Sequence, residues 1–253
     1  MNPLQRTVIE KTGHDFGFEY TVSETVDAIV LGSANHKLQA AITIADACWC
    51  VQFPQSSHLL KAELTRNFSC ERDEFNCTSE DKLARLLRRA SALACSLPNQ
   101  VETDYEKKVE RALGELPDGI KGTEVERMVR QRLGQQTYRN AMLKYWGNAC
   151  AVTGVELRQV LRASHAKPWA ECSSDSERLD VFNGFLLTAN LDALFDRFLI
   201  SFDQCGEILI SESVSTGDRI VLGIEKKLRL RWLSSGHRPF LEYHRNIFYR
   251  HSS

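Results

Sequence analysis

The chain has 253 residues, 43% hydrophobic and 26% charged, with a formal net charge of −1. This is the composition of a soluble globular protein, and at this length two domains are the better expectation than one. No apolar run approaches the roughly 20 residues of a membrane helix, and the opening MNPLQRTVIEKTGHD has no apolar signal region, so a cytoplasmic protein with no membrane partner is expected.

The net charge hides an uneven spread. Residues 1–120 carry 13 Lys+Arg against 18 Asp+Glu, and residues 121–253 carry 19 against 15. A mildly basic second half is compatible with a phosphate-bearing partner. The eight cysteines form no C-x-x-C pair. Reduced thiols, several of them buried, are expected, with a zinc site on Cys70, Cys77 and a distant His as the weaker alternative.

Residues 16–53 read mostly as strands. FGFEYTVS alternates, VDAIVLG is a short apolar run stopping at Gly32, and LQAAITIADACWCVQF is β-branched and aromatic, although its alanines leave helix open. Residues 54–77 are polar with no clear period. SEDKLARLLRRASALACSL predicts a helix with Ser79 as N-cap, an apolar stripe of Leu83, Leu86, Leu87, Ala90, Leu93 and Ala94, and Pro98 at its end. A charged helical segment, VETDYEKKVERALGEL, runs to the turn signal Pro117-Asp118-Gly119. The boundary falls here. It gives an N-terminal α+β domain over 1–100, a helical linker over 101–122 and a second domain over 123–253, with a helical hairpin inside one domain as the alternative.

TEVERMVRQRLGQQTYRNAMLKYWG opens with the capping box Thr123-x-x-Glu126 and keeps a rough helical period, with Gly134 as the point where it would divide. Arg127, Arg130, Arg132, Arg139 and Lys144 lie off the apolar stripe, to meet phosphates or to be solvated. ACAVTG predicts a short strand, and ELRQVLRASHAKPW a turn into a strand carrying His165. ECSSDSERLD predicts a polar loop, FNGFLL a turn into a strand, and TANLDALFD a short helix capped by Thr188. FLISF and EILIS pair, LRLRWLSS is a further strand, and PFLEYHRNIFYRH is a closing amphipathic helix with Pro239 at its start. His237, His244 and His251 recur at intervals of seven and are read as surface or DNA-facing residues.

The residue types between Ser164 and Asp196 suit phosphodiester hydrolysis. A His can take a proton from water near neutral pH. An Asp on a short helix can hold a hard divalent cation that neutralises charge on the phosphate.

The order of these residues resembles the HNH (ββα-metal) endonuclease family. The closest likeness is to the branch with R-A-S-H-x-K-P-W, F-N-G-x-L-L and L-D-A-L-F-D-R. These are Arg162 to Trp169, Phe182 to Leu187 and Leu191 to Arg197 here, and the likeness extends over about residues 125–251. It implies a C-terminal ββα-metal core with flanking helices, preceded by a separate α+β domain. It also implies that His165 is the general base and that the Asn183 side chain pins the loop that orients it. Asp192 would hold the metal where other members carry His or Asn. Ser164 stands where many relatives have an Asp ligand, and is its neighbour in the metal site. Mg²⁺, or Mn²⁺ or another divalent ion, is the implied cofactor. Lys167, Arg162, Arg139 and Arg197 are the implied phosphate contacts, with Asp196 and Arg197 also fitting a helix-end ion pair. Phe182, Phe185, Leu186, Leu187, Leu191, Leu194, Phe195, Phe198 and Ile200 would form the core.

The expected activity is therefore metal-dependent cleavage of double-stranded DNA, in a bacterial restriction or defence setting. The rivals are a non-catalytic DNA-binding module on a decayed fold and an RNA-directed nuclease. Residues 1–100 carry no motif. They would recognise a DNA site or modified base, through aromatics such as Phe16, Phe18, Tyr20, Trp49 and Phe53, or make protein contacts such as a homodimer.

Overall fold

The computed structural model describes residues 1–45, 48–117, 122–224 and 227–251. The fold is mixed α+β, and its packing divides the chain into two compact units, Met1–Cys95 and Ser96–Ser253.

In the first unit, α1 (Pro3–Asp15) precedes β1 (Tyr20–Glu24), β2 (Ala28–Gly32), β3 (Ala40–Ala45) and β4 (Cys48–Gln52). Then come α2 (His58–Leu64), β5 (Cys70–Glu71), β6 (Glu74–Cys77) and α3 (Glu80–Ala94). The strands form one antiparallel sheet in the order β1-β2-β3-β4-β6-β5. The long apolar run is thus two paired strands, because its β-branched residues alternate between faces. Ile42 and Val51 are fully buried beside Ile29, Leu31 and Phe75. The α3 stripe Leu83, Leu86, Leu87, Ala90 and Leu93 is buried too, and Ser79 caps the helix by accepting from the Lys82 N–H. Phe18 and Phe53 belong to this core, in ring contact with His36 and Phe75, and are not available to stack on a base. None of the eight cysteines is in a disulfide, and Cys77, Cys150 and Cys172 are buried.

In the second unit, α4 (Pro98–Gly114) packs on α5 (Thr123–Tyr145) and α6 (Asp175–Leu179). The stretch read as a linker is therefore a packed helix, with Pro98 at its first position. Asp118 and Gly119 of the expected turn lie outside the described residues.

The capping box at α5 does not form. Gly122 is the N-cap and gives no side-chain bond, while Glu126 reaches forward to Arg130. Nor does Gly134 divide the helix. A Cβ there would come within 2.5 Å of the Trp169 indole, so the glycine makes room for that ring. Gly134→Ala should therefore destabilise the protein by about 1–3 kcal/mol despite alanine's better helix propensity. At about 2–4 °C per kcal/mol the loss is readable in the thermal midpoint, and a gain in stability would mean that the indole is not wedged against α5.

After α5, ACAVTG forms turns in place of a strand, with the Cys150 Sγ accepting from the Val152 and Thr153 N–H groups. Next come β7 (Leu161–His165), α6, β8 (Gly184–Thr188), α7 (Ala189–Phe195), the hairpin β9 (Ile200–Phe202) and β10 (Ile208–Ile210), α8 (Thr216–Val221) and α9 (Arg238–His251). α6 lies inside the expected polar loop, with Ser174 as its N-cap. Thr188 holds the N-cap position of α7 but makes no side-chain capping bond. LRLRWLSS contributes only an isolated bridge, Arg229 to Glu207. Its Arg231 turns inward to donate to the Trp146 and Ala149 carbonyls. Of the nine expected core residues all but Phe198 are buried.

Two of the three tail histidines correct the surface reading, because His237 and His244 are fully buried, while the side chain of His251 lies outside what the structure describes. His244 stacks on Phe195 at 3.8 Å. Its Nε2 donates to the Phe195 carbonyl, which leaves Nδ1 to accept from the Ser201 hydroxyl. Burial lowers the ring to about 4, against the opposing pull of the Phe195 carbonyl. An unfolded chain would protonate it near 6.5. Its contribution to stability is thus complete above pH 6.5 and falls away as the pH drops toward 4. An NMR titration should place the His244 midpoint near 4, and a midpoint near 6.5 would mean that the ring is wet.

Candidate nuclease site

β7 and β8 run antiparallel, Leu161 opposite Thr188 through His165 opposite Gly184, and α7 packs on both. Successive strand residues face opposite ways. Ser164 turns toward α7, where its hydroxyl donates to Asp192 Oδ1 at 2.5 Å. His165 turns the other way and stacks on Tyr138 of α5, ring centroids 3.9 Å apart, with Trp169 edge-on at 5.6 Å.

One hydrogen bond fixes the chemistry of that imidazole. His165 Nε2 lies 2.9 Å from the Arg178 carbonyl of α6. A carbonyl can only accept, so Nε2 carries the proton and Nδ1 holds the lone pair in the neutral ring. Burial drives the His165 imidazole down to about 4, with the Arg178 carbonyl pulling upward. The ring is therefore neutral at physiological pH, as a proton acceptor must be.

Asn183 is fully buried, and its amide ties the loop after His165 to the approach of β8. Oδ1 accepts from the Lys167 N–H at 2.8 Å. Nδ2 donates to the Glu177 carbonyl (3.1 Å), the Lys167 carbonyl (3.2 Å) and the Cys172 Sγ (3.3 Å). The orientation of the amide follows from the Lys167 N–H, which requires an acceptor. The Asn183 carbonyl takes the Ala166 N–H and the Tyr138 hydroxyl. Tyr138 also reaches the Ser164 carbonyl at 3.4 Å, so one phenol braces both strands and the ring of His165.

The cationic candidates behave differently from one another. Lys167 is taken up by Glu177, with Nζ 2.6 Å from Oε1. That hydrogen bond raises the Lys167 ammonium and lowers the Glu177 carboxyl. Arg197 donates to the Ala193 carbonyl one turn back and makes no ion pair with Asp196 among the described residues. Arg127 and Arg130 pair with Glu124 and Glu126. Arg139 and Arg162 converge on one backbone oxygen, that of Leu161, at 2.7 and 3.0 Å.

The oxygen donors gather at α7. The Asp196 carboxyl is raised by partial desolvation and then by the Asp192 charge, with Arg197 opposing, although the residue is exposed at the surface. Asp192 and Asp196 lie one helical turn apart, and only Asp192 is hydrogen-bonded to the Ser164 hydroxyl among the described residues. Among the described residues no group of three or more His, Cys, Asp or Glu side chains could hold a metal ion, and no direct bond joins His165 to Asp192. No helix among them is long and apolar enough to cross a membrane.

Sequence reasoning missed Tyr138, Glu177 and Arg178. Tyr138 reads only as one more apolar residue in a helical period, and Arg178 acts through its backbone carbonyl, on which residue type is silent. A usable signal did exist in Ser174-x-x-Glu177, which has the form of a helix start.

The family described as HNH endonuclease matches residues 150–203, a span that holds His165, Asn183 and Asp192. No curated protein matches the chain. The match supports a nuclease, a hydrolase acting on nucleic acid.

Proposed function

We propose that the protein is a metal-dependent endonuclease that hydrolyses phosphodiester bonds of double-stranded DNA, in a restriction or defence role. The observation that carries the reading is the His165 ring, kept neutral by burial and fixed through Nε2. Nδ1 takes a proton as the water oxygen attacks phosphorus. The bond from phosphorus to the leaving oxygen breaks, and that oxygen is protonated by solvent. Asn183 and Tyr138 hold the ring's strand in place. Asp192, with Ser164 hydrogen-bonded to it on the face of β7 opposite the His165 ring, would hold the divalent cation. That ion, when bound, would supply charge neutralisation at the phosphate and leaving oxygen. A twofold dimer would turn two nicks into a double-strand break.

One observation favours a second reading, a module that binds without cutting. Ser164 supplies a neutral hydroxyl already donated to Asp192. Plasmid cleavage decides between them. With Mg²⁺ or Mn²⁺ the purified protein should nick or linearise supercoiled DNA, and with EDTA, or as His165→Ala, it should not. Intact DNA binding without cleavage in any of these ions would replace the first reading with the second, and cleavage of RNA alone would reassign the substrate.

A further inference from the structure

Many arginines of this chain end on a carboxylate. Arg66, Arg127 and Arg130 each present the edge formed by Nε and Nη2 to a glutamate. The same edge of Arg162 has no hydrogen-bond partner among the described residues. Its Nη1 alone is engaged, on the carbonyls of Gln159 and Leu161. Arg139 reaches the same Leu161 oxygen from α5 and clamps the Arg158 carbonyl with Nη2 at 3.2 Å. Two guanidinium groups are thus neighbours around one oxygen, with the exposed Arg158 side chain in the same turn. None of the three forms an ion pair among the described residues.

Held like charges repel, and burial together with the charges of Arg162 and Arg158 lowers the Arg139 guanidinium. A guanidinium stays charged even so, which leaves a concentrated positive potential that an anion relieves. The backbone carbonyls fix the position of the charges while the Nε–Nη2 edge of Arg162 faces no carboxylate. That is the arrangement which receives two oxygens of one phosphate.

We propose that Arg162, Arg158 and Arg139 form a binding site for a nucleic-acid backbone phosphodiester. Arg162 is the bidentate contact, Arg158 is a second cation, and Arg139 fixes the strand start between them. The site deepens the nuclease reading and rests on it. Arg162 lies two residues before Ser164 on the face of β7 that Ser164 turns toward α7, about 7 Å along the strand, or about two base steps of duplex rise. The phosphate bound here is therefore not the one attacked but a neighbour that sets the register of the substrate on β7. Recognition of this kind carries no base information.

The test is fluorescence anisotropy of a labelled 25-base-pair duplex in EDTA at several NaCl concentrations, with His165→Ala as the uncleaving parent. Arg162→Gln and Arg158→Gln should each weaken binding by about tenfold and lower the slope of log affinity against log salt by about 1, equally for unrelated sequences. Arg162→Lys should keep the slope but lose affinity, because it retains charge without the fork. Arg127→Gln, whose partner is Glu124, should leave the slope unchanged. Circular dichroism of each variant identifies loss of fold. An unchanged slope in the folded Arg158→Gln, Arg162→Gln double variant, with a parent that binds, overturns this site and leaves the nuclease reading standing. A parent that binds no duplex overturns both.

Discussion

Gly184→Ala should unfold the second compact unit of the protein or cost on the order of 4 kcal/mol or more. Gly184 faces His165 across the ladder at φ +151, a backbone region that L side chains rarely adopt. A Cβ there would overlap the Ser164 carbonyl oxygen and come within 2.5 Å of the Tyr138 hydroxyl. Neither neighbour can retreat. The Ser164 carbonyl belongs to the strand whose side chain holds Asp192, and the Tyr138 hydroxyl is donated to Asn183. Gly147→Ala is the matched control. It also has positive φ, +64, but nothing lies within 4 Å of its added Cβ. Only the left-handed backbone penalty applies, about 1–2 kcal/mol. Denaturant unfolding of the two variants separates crowding from conformation, and equal costs would mean that the strands do not approach as closely as the structure has them.

If His165 is the general base proposed above, His165→Ala should lower kcat by about 10²–10⁴ while leaving duplex affinity nearly intact, because that role acts on water and not in binding. Tyr138 adds a graded series to the same measurement. Tyr138→Phe keeps the stack on His165 but loses the phenol bonds to the Asn183 and Ser164 carbonyls, whereas Tyr138→Leu loses both. Cleavage should fall in the order wild type, Phe, Leu. The His165 titration should rise from about 4 toward the ordinary value only in the Leu variant, where the ring gains access to water. If His165→Ala cuts at the wild-type rate, another group activates the water. If Tyr138→Leu leaves the His165 midpoint unmoved, Tyr138 has no part in setting the ring's environment.

The elements that carry the site were readable because each has its own local period. Leu161–His165 alternates, Gly184–Thr188 is a short buried run, and Ala189–Phe195 places Leu191, Leu194 and Phe195 on one side. What joins them was not readable. The Arg178 carbonyl, the Lys167 backbone groups held by Asn183, and the Leu161 oxygen shared by two arginines are main-chain atoms, present at every position whatever the residue. α6 was hidden because serines and acids serve loops and helix starts equally well. LRLRWLSS misled in the opposite sense. Its alternation is that of a strand, but Arg231 is drawn inward by the Trp146 and Ala149 carbonyls and stacks on Trp232. The buried His237 and His244 show that spacing alone says nothing about which side of a helix finds water.

The contact between His244 and Phe195 also bears on the order in which the site can be completed during synthesis. The helix that carries Asp192 receives one of its anchors, the Nε2 bond to the Phe195 carbonyl, from a residue 49 positions further along the chain. A nascent chain that has exposed only the two strands and that short helix still lacks this anchor, and the loop that must close to supply it is long. The acidic end of the site therefore gains this anchor only once α9 has been made and has folded back on α7.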